Sequence, residues 1–134
     1  MPVTDLYIVG YLLEATRGTH DPLNWHADGG GGYSTQINGV RIELFHAQAM
    51  GWSGHMLRFT RGENNIHIEE PRPFSIFGRK YRNEDDRRLA ETIQELGAAV
   101  LHQCHTRRAR AWRLRDSIRE SMYRRVLFGE PENV

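Results

Sequence analysis

The sequence predicts an α+β fold: an N-terminal helix, a three- to four-stranded antiparallel sheet and a long C-terminal amphipathic helix. Three observations carry this. Apolar residues recur at helical spacing near the start, two hairpin patterns fill the middle, and Glu84–Phe128 contains no proline and a single glycine, Gly97.

Residues 4–16, TDLYIVGYLLEAT, place Leu6, Val9 and Leu13 on one helical stripe that Leu12 widens. Thr4 is suited to cap this helix, Asp5 suits its first turn, and Gly18 stands where a left-handed C-terminal glycine would. Gly10 works against it by about 1 kcal/mol relative to alanine, and a strand is the alternative. The loop HDPLNWHADGGGGYS follows. Its glycines 29–32 resemble a phosphate loop only superficially, because strand-like sequence follows them and no Gly-Lys-Ser/Thr ending is present. A flexible connector is the expectation. His20, Asp21, Trp25 and His26 are a candidate pocket rim.

Asn38-Gly39 is a strong hairpin signal between Tyr33–Ile37 and Val40–His46. In HMLRFTRGENNIHIEE, a turn at Arg61–Asn64 sets Phe59 opposite Ile66 and Leu57 opposite Ile68, with Arg58 opposite His67 on the other face. Val40, Ile42 and Leu44 join the buried side, so one face of the sheet is covered by helix and the other is wet. Pro71, Pro73 and Gly78 mark a linker whose Phe74, Ile76 and Phe77 are expected to tuck against the sheet. Asn83 then caps a helix that begins with Glu84, Asp85 and Asp86.

In that helix Leu89, Ile93, Leu96, Val100 and Cys104 form one stripe, and Ala111, Leu114, Ile118, Met122 and Val126 form a second, with Phe128 just beyond. A helix of about 40 residues reaches about 60 Å, about twice the width of a globule of this size. Its distal part, 110–128, is therefore expected to expose an apolar stripe and to serve as a protein interface, with a homodimer the commonest solution. The alternative is a break near 105–108 that folds the second block back as a hairpin. Otherwise 1–134 reads as one α+β domain, with 84–128 its helical segment.

Charge divides along the same line. Residues 105–125 carry eight arginines against Asp116 and Glu120, a net +6, and the whole-chain charge of +1 leaves −5 elsewhere. Arg107, Arg108, Arg110, Arg113 and Arg115, interleaved with Trp112, give an alternative reading as a nucleic-acid-binding surface. Against it stand a pI near 8.0, the lack of a recognised nucleic-acid motif, and arginines spread around the helix.

Metal and catalytic chemistry are not predicted. His102, Cys104 and His105 lack a second ligand pair at zinc spacing. Arg58, His67 and Glu69, beside Arg41 and Glu43, form a charged surface cluster that supports a third alternative, a small hydrolase using His67 and Glu69. No catalytic motif accompanies them, so no catalytic residue and no cofactor is assigned. The lone cysteine, the acidic rather than basic N-terminus and an apolar run of only Leu6–Leu13 lead to the expectation of a cytoplasmic protein that does not enter the membrane.

Overall fold

The structure, a computed structural model, describes residues 4–49, 52–73 and 81–128, with side chains for all of these except 49, 52 and 123–128. Helix α1 (Asp5–Arg17) precedes β1 (His26–Ala27), β2 (Tyr33–Ile37), β3 (Val40–Ala49), β4 (Trp52–Arg61) and β5 (Asn64–Glu69), and α2 (Glu84–Phe128) ends the order. The five strands form one antiparallel sheet in sequence order, β1-β2-β3-β4-β5. The chain divides into two compact units, Met1–Gln103 and Cys104–Val134, so the boundary falls within α2.

The first unit follows from local chemistry. Thr4 caps α1 by accepting a hydrogen bond from the Tyr7 amide at 3.2 Å, and Val9, Leu12, Leu13 and Thr16 are its buried face. Gly18 caps the other end with φ of −56°, so the left-handed freedom expected of it is not used. Asn38 and Gly39 have φ of +48° and +79°, the paired positive values of a type I′ turn, and they set Ile37 opposite Val40. The second hairpin turns through Gly62 at φ +61°, and glycine in that first central position fits a type II′ turn. Its register is the expected one, with Phe59 opposite Ile66, Leu57 opposite Ile68 and Arg58 opposite His67. The Asn83 side chain caps α2 by accepting from the Asp86 amide at 2.8 Å.

Because cross-strand partners share a face, Ile42, Leu44, Leu57 and Ile68 fall together on one side, and all four are buried. Val9, Leu12 and Leu13 from α1, and Ala90, Ile93, Leu96 and Val100 from α2, complete this core with Trp25. On the surface Arg17 and Glu95 link the two helices at 3.6 Å, with both side chains more than half exposed; an exposed pair of this kind is worth only about 0.2–1 kcal/mol.

One expectation is corrected, and two other readings gain detail. The sheet has five strands rather than three or four; β1 is two residues long, too short to show alternation in sequence. The connector between α1 and β2 is hydrogen-bonded at Leu23–Trp25, ahead of the glycines 29–32 on which the expectation of a flexible connector rests. Trp25 is fully buried, its indole N–H donates to Thr16 Oγ1 at 3.0 Å, and Thr16 donates onward to the Leu12 carbonyl at 2.7 Å. Gln103 on α2 accepts from the Trp25 amide and donates to the Leu23 carbonyl, each at 2.8 Å, while Thr35 on β2 donates to the Asn24 carbonyl at 2.6 Å. Finally, α2 is helical without interruption through 105–108; arginine and alanine are good helix formers, and no proline or glycine stands there to end the run. Phe74, Ile76 and Phe77 lie outside the described residues.

Thr16→Val keeps the shape of a buried side chain and removes the acceptor for the Trp25 N–H. We expect a loss of about 1–3 kcal/mol, measured as a lower urea midpoint at unchanged slope.

Candidate functional site

In the second unit every residue from Arg107 to Met122 is exposed. Ala111, Leu114, Ile118 and Met122 recur at three- and four-residue steps, which places them on one helical face. Leu114, Ile118 and Met122 are 63%, 54% and 60% exposed, and Trp112 is 52% exposed. The backbone of Val126 and Phe128 continues the helix; their side chains lie outside the description. Arg107, Arg108, Arg110, Arg113 and Arg115 are all exposed, and the Arg115 guanidinium stands 4.1 Å from the Trp112 ring centre. That contact occupies one face of the ring on which a base would stack. Cys104 is half-buried, and burial pushes its thiol above the ordinary value, outweighing the opposite pull of Arg107. A raised pKa makes it a poor nucleophile at neutral pH.

The outer sheet face carries the charged cluster. Arg58 donates to Glu43 at 2.7 Å, and Arg41 lies 3.5 Å from the same carboxylate and 3.8 Å from Asp28. The hydrogen bond from Arg58 holds Glu43 below the usual carboxylate range. His67 is across from Arg58 and Glu69 across from Met56; both are exposed, and no hydrogen bond joins them. The structure thus brings Arg58 to Glu43 rather than to Glu69. Among the described residues, no group of three or more His, Cys, Asp or Glu side chains is placed to hold a metal ion.

A second cluster lies on the helix-facing side and has no motif to announce it. His46 and His55 are cross-strand partners with ring centres 4.3 Å apart. His55 Nδ1 is 3.2 Å from the buried Glu70 carboxylate, which also accepts from the His55 amide and from Gln94 of α2, both at 3.3 Å. Burial raises the Glu70 pKa, yet these hydrogen bonds outweigh it and hold the carboxyl below its ordinary range. The other ring nitrogen, Nε2, packs over Gly97, where a Cβ would stand only 2.6 Å from it. With one nitrogen bonded to Glu70 and the other against the helix backbone, His55 ties β4 to α2. The sequence signal for this contact is Gly97, the lone glycine of a long helix.

Asp21 and His26 from the expected pocket rim do line a shallow groove of about 530 Å³ with Leu23, Asn24, Gln36 and Arg41. Trp25 is in the core instead, and His20 is exposed outside the groove.

No protein-family model, curated protein or solved structure matches the chain. No described helix is long and apolar enough to cross a membrane.

Gly97→Ala should destabilise by about 1–3 kcal/mol as the His55 ring is displaced, and adding His55→Ala should recover part of that loss in a double-mutant cycle. The Glu70 pKa is lower in the folded state than in the unfolded chain, so its contribution is complete above the ordinary carboxylate value and disappears as pH falls through the depressed one. Denaturation midpoints should therefore fall below about pH 5, and Glu70→Gln should flatten that acid limb.

Proposed function

We propose that the chain is a non-enzymatic binding or regulatory protein that works through protein–protein association of its distal helix, and that the partner is a second copy. The observation that carries this reading is the exposed stripe of Ala111, Leu114, Ile118 and Met122 on sixteen consecutive exposed residues. Helical propensity alone leaves a segment of that length marginal in water, and most helices are held by burial of an apolar face. Two such stripes laid antiparallel supply that burial reciprocally, as a two-fold contact requires. Val126 and Phe128 extend the same interface, and a cytoplasmic setting belongs to this reading.

The arginines make the reading selective. Pairing two +6 segments brings like charges together, so added salt should tighten the association by screening them. A nucleic-acid complex through Arg107, Arg108, Arg110, Arg113 and Arg115 behaves in the opposite way, because its affinity comes from counterion release and falls steeply with salt.

Light scattering of the full chain should show a dimer that strengthens between about 50 mM and 500 mM salt, and Leu114→Glu with Ile118→Glu should weaken it at least tenfold. A mass that stays monomeric throughout defeats the proposal. Salt-sensitive binding to an oligonucleotide, lost on replacing the five arginines, would transfer the helix to the nucleic-acid reading.

A further inference from the structure

The sheet has two unlike edges. On one side β1 offers two residues, and the backbone leading into it is tied down: the Asn24 carbonyl accepts from Thr35 and the Trp25 amide donates to Gln103. On the other side β5 is a six-residue strand at the end of the order, paired only with β4 among the described strands.

Which β5 backbone groups face outward follows from the ladder. Arg61 and Asn64 close the tight turn, and the closing pair of a two-residue hairpin exchanges both of its hydrogen bonds. Hydrogen-bonded pairs then alternate along the strands, so Asn64, Ile66 and Ile68 spend their backbone groups on β4. The Glu70 amide donating to the His55 carbonyl at 2.9 Å fits the same alternation at the far end. The N–H and C=O groups of Asn65, His67 and Glu69 therefore point away from the sheet.

We infer that β5 is a pairing edge for a second copy of the chain, joined antiparallel about a two-fold axis through His67 to make one continuous ten-stranded sheet. A two-fold axis perpendicular to the sheet keeps each face on its own side. Centred on His67, it lets His67 exchange both hydrogen bonds with its symmetry mate, and Asn65 exchange both with the copy's Glu69, so all three outward residues are used. Moving the centre by one residue leaves at least one of them outside the exchange. The side chains agree with this register. Ile66, 59% exposed although it lies on the core side of the sheet, is the apolar side chain that the copy's strand would cover. Glu69 meets Asn65, so no carboxylates oppose each other. The strand holds neither a lysine nor a charge pointing to the core side, two of the devices by which edges are kept unpaired.

The inference is independent of the distal helix, and its test keeps the two apart. Hydrogen exchange is followed in full-length Leu114→Glu/Ile118→Glu protein across roughly a hundredfold range of concentration. The amides of Asn65, His67 and Glu69 should gain at least tenfold protection together as concentration rises, while those of Ile66 and Ile68 stay protected throughout. His67→Pro removes an N–H that the chain's own ladder does not use, and it should abolish the gain at Asn65 and Glu69. Should that variant unfold, Ile66→Lys, at an exposed position, should do the same by setting a charge where the copy's strand would cover it. Exchange at Asn65, His67 and Glu69 that is independent of concentration in the folded protein overturns the inference, as does concentration-dependent protection that survives both substitutions.

Discussion

An indole buried to zero exposure has to find a partner for its N–H, and the first unit is organised around how Trp25 does so. An unsatisfied buried donor costs about 1–3 kcal/mol, and Thr16 meets that requirement from the last turn of α1. Thr16 in turn returns its own proton to the Leu12 carbonyl, so the acceptor is itself locked. Gln103 then clasps the same segment from α2, using both ends of one amide. A loop rich in glycine and short polar residues thereby becomes the joint between two helices and β2. The core around it can be close-packed because the connection that would otherwise roam is fixed.

What was legible in the sequence was whatever is decided by neighbours. Asn38-Gly39 specifies its turn through backbone sterics alone, and Arg61–Asn64 with alternating apolar residues fixes the register of β4 on β5, down to Arg58 opposite His67. Thr4 and Asn83 mark their helices through caps that reach only three residues ahead. The rest depends on residues far apart in the chain. Trp25 and Gln103 are separated by 78 positions, and no periodicity announces either of them. His55, Glu70, Gln94 and Gly97 come from three different segments, and until those are packed Gly97 reads only as a weak point in a helix. The charged cluster was legible as a neighbourhood but not as a pairing. Glu43, which the register sets opposite Arg58, takes that guanidinium, leaving His67 and Glu69 unjoined.

The same helix is built on two different principles along its length. Up to Val100 the helix buries Ala90, Ile93, Leu96 and Val100 at 0% exposure, and tertiary packing holds the backbone. From Arg107 to Met122 no residue is buried, and the helix there rests on propensity, to which its alanines, arginines and leucine contribute. The stripe in this second stretch has the pattern of a buried face, and the proposed association gives that pattern its physical use.

The unequal borders of the sheet set a limit on assembly. A sheet open on both sides can recruit strands without end, which is the geometry of a fibre. Here β1 is short and the approach to it is tethered, so joining through β5, as inferred above, would use the long outer strand at the end of the described order and strand addition would stop at two copies. Joining of this kind would widen the sheet without the open-ended strand addition of a fibre.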